Sequence, residues 1–297
     1  MPSNLKRTVE EILTLYSLEP TIKDIYVEGP MDKSIIDLFV GVYSIECNVY
    51  EIDSSIDFSE LMSKDPLLGS NRNKLISFAS QLTSATSSQN ILCIIDKDFD
   101  DFISGGTYNQ FLLRSDYSCI EAYVFNEEII GKILKIGFSN FPLEANQVIE
   151  ELAKVLPPLF FLRCLREIDA DFKPTALLKI DNAFSASRGG IITFDLKDYV
   201  ERFCHKNAIS NRSEYVIKEV RKMLENYQGD VRNSIHGHDF ANTFFRYVNS
   251  VKNTQQFKDS SFEKTLFIAL EMSTLTKYEL FDTIYKRFNL ESPTSVS

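Results

Sequence analysis

Two apolar runs in this sequence end in carboxylates. Asn90–Asp101 (NILCIIDKDFDD) closes on four acidic residues, and Lys23–Ile36 (KDIYVEGPMDKSII) carries a lone glutamate, Glu28, after a short apolar stretch. Carboxylates at that spacing suit a divalent cation. At a strand end alternate residues point to the same side, so Asp96 and Asp98 are expected to converge while Lys97 turns away. Two like charges held together repel unless a cation offsets them. Magnesium takes oxygen ligands, typically one or two carboxylates, with waters and substrate phosphates completing its shell. Taken alone, the same DxD reads more simply as a solvated acidic turn capping the next helix.

Glu28 adds a second strand-end carboxylate. It is followed by Gly29, which permits a tight turn and close approach of backbone to a ligand. The competing role for Glu28 is compensation of the dipole at the start of the next helix. Asp32 and Lys33 fall in that helix's first turn, where the dipole explains Asp32 more simply than water-mediated metal contact. Asp100 and Asp101 extend the acidic cluster as candidate supporting ligands, although solvation accounts for them more simply. Glu121, at the start of an otherwise apolar segment (CIEAY), is a further candidate ligand, with an ordinary first-turn glutamate as its alternative.

The elements that must deliver these residues follow from periodicity. Leu5–Leu18 places Val9, Ile12, Leu13 and Tyr16 at helical spacing, and Pro20 ends that helix. Ile25–Val27 reads as a core strand. Pro30 opens a helix, where its missing amide costs nothing, and Ile35, Ile36, Leu38 and Phe39 form its buried stripe. A strand at Cys47–Ile52, a polar loop (DSSIDFSE), a helix at Asn71–Leu82 capped by Ser70 and a strand at Ile91–Ile95 complete a β-α-β-α-β order. That order implies parallel strands joined by right-handed crossovers. A turn at Gly105–Gly106, a fourth strand at Gln110–Arg114 and helices at Ser115–Asn126 and Glu127–Ile136 follow.

The second half reads as helical. Leu143–Asp169 is a long apolar segment broken at Pro157–Pro158, and Ile191–Phe194 is a short strand or hairpin edge. Helices are expected at Leu196–Cys204, Ser213–Tyr227, Asp239–Val251, Ser261–Met272 and Lys277–Phe288, ahead of a frayed tail, ESPTSVS. The fold class is therefore α/β: a mainly parallel sheet flanked by helices over residues 1–140, then a mainly helical part, residues 141–297, packed against it.

Composition sets outer bounds. The 297 residues carry a formal charge of −10, unevenly spread: residues 1–152 hold 11 basic and 24 acidic side chains, residues 153–297 hold 21 and 18. An acidic first half suits divalent cations, and a near-neutral second half has room for a local basic face toward a polyanion. A chance asymmetry between two soluble segments is the plain alternative. The sequence has no apolar run of the roughly 20 residues a membrane helix needs, and MPSNLKRTVEE lacks the apolar core of a signal peptide, so a cytoplasmic protein without membrane contact is expected. Five scattered cysteines without a CxxC read as buried free thiols.

His236-Gly237-His238-Asp239 is the remaining motif. It lacks the partner ligands of a zinc site, and Asp239 reads as the N-cap of the following helix, with Gly237 as a turn. The rival role has His236 or His238 facing substrate phosphate or the acidic site. Arg232, Arg188-Gly189-Gly190 and Arg221-Lys222 are candidate phosphate contacts.

With these residues set out, VEGPMDK followed 68 residues later by the DxD of IIDKDFDD resembles the Toprim fold of topoisomerases, primases and OLD-type nucleases. SDYSCIEAYVF and SIHGHDFANTFFRYV extend the likeness to a Toprim-like family found with ABC-type ATPases in bacterial anti-phage systems. The resemblance implies that Glu28 acts as general acid/base or metal ligand and that Asp96 and Asp98 bind magnesium, as one or two ions, with manganese able to substitute. It further implies a toxic nuclease held by an ATPase partner, homodimeric when active, that cleaves RNA, specifically host tRNA, rather than DNA. A Toprim-like chain that has lost catalysis and serves as a regulatory subunit of the ATPase is the alternative; nucleotidyl transfer fits less well, for want of a zinc module or a basic template-binding segment.

Overall fold

A computed structural model describes residues 6–86, 88–103, 109–172, 183–252 and 259–289. The expected turn at Gly105–Gly106 and the tail ESPTSVS lie outside the described residues. In chain order the elements are β1 (Arg7–Thr8), α1 (Val9–Leu18), β2 (Asp24–Val27), α2 (Pro30–Val42), β3 (Asn48–Glu51), α3 (Ile52–Ser55), β4 (Ile56–Asp57), α4 (Ser59–Lys64), α5 (Asn71–Ala85), β5 (Ile91–Ile95) and β6 (Leu112–Arg114). Then come α6 (Glu127–Gly137), α7 (Ala145–Ala153), α8 (Leu156–Ile168), β7 (Phe184–Ala186), β8 (Ile192–Phe194), α9 (Leu196–Lys206), α10 (Ser213–Asn226), α11 (Gly237–Lys252), α12 (Asp259–Ile268) and α13 (Glu279–Asn289).

The chain forms two compact units, and no single cut in the sequence separates them. One takes in Met1–Lys97, Gly105–Asp116 and Glu271–Ser297; the other takes in Asp98–Ser104 and Tyr117–Leu270. A single boundary after residue 140 is what the sequence leads one to expect.

The first unit is an α/β layer structure. Its central sheet has the order β3-β2-β5-β6 with every pairing parallel. All five residues of β5 are buried, as expected where helices cover both faces of a parallel sheet. One face contributes Tyr26, Ile91, Cys93, Ile95 and Leu112 to a core shared with Val9, Ile12 and Tyr16 of α1 and with Leu75, Phe78 and Leu82 of α5. α2 lies against β2 and β3, and its Phe39 meets Phe281 of α13 with ring centroids 5.0 Å apart.

Several expected elements are redrawn. The first helix starts at Val9, because Thr8 and Glu11 form a capping box and Arg7–Thr8 pairs as a strand with Ile56–Asp57. The polar loop after β3 is therefore α3, β4 and α4. On α2 the buried stripe is Ile35, Ile36, Phe39 and Val40, while Leu38 is 55% exposed. Ser115–Asn126 is not an α-helix; only Ile120–Val124 coils, as a 3₁₀ turn. Pro157 and Pro158 do not break a helix but sit in the first turn of α8, where proline forfeits no bond.

The last described helix belongs to the first unit. Asp116 accepts hydrogen bonds from the Glu279 and Leu280 amides at 2.8 and 3.2 Å. Lys23 donates to the Phe288 carbonyl at 3.0 Å. Arg287 donates to the carbonyls of Gln89, Gln110 (2.6 Å) and Ile91 (2.9 Å), beneath β5 and β6. Arg287→Ala is expected to cost about 1–3 kcal/mol, the worth of hydrogen bonds from a charged donor; urea unfolding measures it.

The second unit is mainly helical, with one antiparallel hairpin, β7–β8. Gly190, at φ +88°, makes the hairpin turn, and the Tyr247 hydroxyl donates to its carbonyl at 2.7 Å. Cys93, Cys119, Cys164 and Cys204 are buried free thiols and Cys47 is a half-buried one. Among the described residues no helix is long and apolar enough to cross a membrane.

Candidate active site

β2 and β5 are adjacent parallel strands, so their C-terminal ends emerge side by side, where open α/β sheets place ligands. Glu28 follows the last residue of β2 and Asp96 the last of β5. The Asp96 amide donates to Glu28 Oε1 at 3.0 Å. The structure thus brings the carboxylate of Glu28 against the backbone of Asp96.

Two residues that were not singled out in the sequence brace this pair. Asn71 donates through Nδ2 to the Glu28 carbonyl at 2.8 Å. Arg72 donates to the Asp96 carbonyl and places a guanidinium nitrogen 3.9 Å from Glu28 Oε1. Both lie in the first turn of α5, with Ser70 accepting the Asn73 amide as N-cap. The signal was present: Asn71-Arg72-Asn73-Lys74 is wholly polar, and a crossover helix in a parallel sheet begins at the end where the strands finish.

Asp98 is reached differently from what strand alternation implies. β5 ends at Ile95, and Asp98 adopts φ +46°, a left-handed conformation that aspartate tolerates. Its amide donates to the Ser118 carbonyl at 2.8 Å. Asp98, Asp100 and Asp101 belong to the turn assigned to the second unit. Phe99 and Phe102 anchor that turn, their rings lying 4.8 and 5.6 Å from Phe160, with Phe102 a further 5.1 Å from Phe161. Asp100 is half-buried and Asp101 exposed. Asp32 serves as a helix cap: its Oδ2 accepts the Gly29 amide at 2.9 Å. Lys33 pairs with Asp37.

Glu121 and the histidines lie in the second unit. Glu121 is 8% exposed on the 3₁₀ turn. A Cβ on Gly237 would fall 2.1 Å from its Oε2, so any larger residue there would have to displace the Glu121 carboxylate. Glu121 also shares a hydrogen bond with Glu263, whose carboxyl is held below the usual range first by His238. His238 is itself 73% exposed and stands 3.6 Å from Glu263. Asp239 is not an N-cap. α11 starts at Gly237, and Asp239 receives two bonds from Arg163, both 2.7 Å.

His236 is mostly buried, and its Nδ1 has no hydrogen-bond partner among the described residues. Burial, followed by the Arg163 charge, pushes its pKa down to about 4. Between pH 6.5 and 4 the unfolded chain therefore binds a proton that the folded chain refuses, so stability rises with pH across that window. His238, raised through Glu263, acts in the opposite sense but is largely screened by solvent. Lowering the pH from 7 to 5 is expected to reduce Tm more for the native protein than for His236→Asn; equal losses would remove His236 as the cause.

Two of the four candidate phosphate contacts, Arg232 and Lys222, lie beside carboxylates. Arg232 pairs with Asp230 at 2.5 Å and lies over the Tyr117 ring at 4.0 Å. Arg188 precedes the Gly190 hairpin turn, and Lys222, on α10, is 3.9 Å from Glu219.

Glu28 and Asp96 are hard oxygen donors at one sheet end, a set that suits magnesium when water and phosphate supply the remaining ligands. Among the described residues no group of three histidine, cysteine or acidic side chains is arranged to hold a metal ion. The chain matches no protein-family model, and a search of curated proteins finds no match.

Proposed function

We propose that the chain is a magnesium-dependent phosphodiesterase of Toprim type, acting as a nuclease. The observation that carries this reading is the Asp96 amide bonded to Glu28 Oε1 at 3.0 Å across adjacent parallel strand ends. It matches the order that the sequence resemblance requires, a glutamate after one strand and an aspartate after a later one. Bound between these carboxylates and a substrate phosphate, magnesium would neutralise charge and lower the pKa of a water. Glu28, with one oxygen oriented by the Asp96 amide, is placed to take a proton from the attacking water or return one to the leaving oxygen. Arg72 positions Asp96 through its carbonyl.

The finer reading rests on the resemblance to AriB, effector of the PARIS anti-phage system. On that reading the chain cleaves host tRNA in the cytoplasm, is held inactive by an AriA-like ABC-type ATPase and acts as a homodimer. One observation favours a second reading. Arg72 sets a positive charge 3.9 Å from Glu28, which would offset that carboxylate in a binding subunit without a metal. Incubation of the purified chain with total tRNA in magnesium, and in EDTA, separates the two. Magnesium-dependent cleavage supports the nuclease; co-purification with an ATPase without cleavage or toxicity supports the binding subunit.

A further inference from the structure

Parallel strands covered on both faces are expected to be apolar on both. β5 obeys this; β2 and β3 break it on one face. Asp24 and Tyr26 of β2 register with Asn48 and Tyr50 of β3, and alternate residues share a face. Four polar or aromatic side chains thus form a two-by-two patch on the side of the sheet that packs on α1. Tyr26 and Tyr50 stack with centroids 5.5 Å apart.

The patch is tied together from above. Tyr16 of α1 donates its hydroxyl to Asp24 Oδ2 at 2.6 Å, and Asn48 Nδ2 donates to Oδ1 at 2.9 Å. The Tyr16 and Tyr26 oxygens are 2.6 Å apart. With the Tyr16 proton committed to Asp24, Tyr26 is the donor in that contact and keeps its own lone pairs for an incoming donor. Asp24 is 5% exposed and forms no ion pair among the described residues. Burying such a carboxylate beside tyrosines is costly; apolar residues would fill the space at less expense.

A cavity of about 700 Å³ opens over this patch, within the roughly 300–1,000 Å³ of small-molecule sites. Ile12, Leu15 and Ile22 give it an apolar wall. Lys6 and Arg7 also line it; both are exposed and neither pairs with a carboxylate among the described residues. Arg7 opposes the upward shift that burial and Asp24 impose on the Tyr50 hydroxyl. Lys33 is committed to Asp37. Ser54 and Ser55 add hydroxyls to the lining.

A matching ligand has a flat apolar body, hydrogen-bond donors on one edge and negative charge at its other end. The geometry points to a purine nucleotide site here, with the amino edge of the base on Asp24 and Tyr26, the ring against Tyr50, and phosphates on Lys6 and Arg7. Its base end lies away from the candidate active site, since Asp24 begins the strand whose far end leads to Glu28; Lys33 and Glu51 carry the other end of the cavity toward the strand ends.

The test is isothermal titration of the full chain, in EDTA to keep divalent metal out, with ATP, GTP, CTP, adenosine and inorganic phosphate. A purine triphosphate is expected to bind at one site, more tightly than CTP, adenosine or phosphate. Arg7→Ala and Lys6→Ala, both exposed and harmless to the fold, are each expected to weaken it roughly tenfold, as loss of one charge-assisted contact does. Glu28→Gln is expected to leave binding unchanged. The proposal is overturned if no nucleotide binds, if phosphate or CTP binds as tightly as the purines, or if Glu28→Gln abolishes binding. No cleavage is measured, so the outcome is independent of the nuclease reading.

Discussion

Glu28→Gln is expected to lower magnesium-dependent cleavage by at least about 10²-fold, within the range for loss of a general acid or base, and to leave the fold intact. The two halves of that expectation have separate causes. The amide oxygen of glutamine still accepts the Asp96 amide, so the link between β2 and β5 survives. What is lost is the charge and the basicity. Glu28→Ala removes the acceptor as well and is expected to destabilise the strand ends by about 1 kcal/mol, the net worth of one hydrogen bond at a half-buried position. Comparison of the two variants by cleavage rate and by Tm separates chemistry from scaffolding. Cleavage by folded Glu28→Gln at the native rate would remove Glu28 from the reaction.

Asp239→Ala is expected to destabilise the second unit by about 3–5 kcal/mol, because it strands a buried guanidinium. Arg163 and Asp239 meet through two 2.7 Å bonds with side chains 16% and 12% exposed. The Arg163 charge already acts on His236 from the same cluster, so freeing it adds repulsion against protonation of that ring. Replacing both partners, Arg163→Met with Asp239→Leu, is expected to recover much of the loss, since a matched apolar pair avoids the desolvation cost. Denaturant unfolding of the single and double variants reads this directly. A loss under about 1 kcal/mol for Asp239→Ala would show that solvent reaches the pair.

The parallel sheet is legible in the sequence because β2 and β5 are short apolar runs and the crossovers on either side of β3, α2 and α5, each have a helical period. Ile91–Ile95 was bounded to the residue for that reason. Residues whose placement depends on long-range contact were not legible. Asp116 as a cap for α13, and Arg287 under β5 and β6, join segments more than 160 residues apart. Periodicity carries no trace of such pairings, so α13 was assigned to the helical part. The segment Ser115–Asn126 misled because its apolar density suits a helix. It is largely buried as a run of bends and a 3₁₀ turn, with the Ser118 hydroxyl set between the carbonyls of Arg232 and Ile235, either of which can accept its proton.

At the candidate site the order of carboxylates along the chain could be read, but not their geometry. Glu28 and Asp96 depend only on two neighbouring strands ending together. Asp98 depends on the backbone past Ile95, and a left-handed φ there ends the alternation on which its placement was argued. Arg72 needed the direction of α5 as well as its existence.

On the proposed function Glu28 and Asp96 together bind a divalent ion. Titration of the chain with Mn²⁺, followed by the loss of the free-ion EPR signal, tests it without a nucleic-acid substrate. Saturable binding that is competed by Mg²⁺ and lost in both Glu28→Gln and Asp96→Asn is the predicted result. Binding of equal affinity in the native chain and both variants would contradict it.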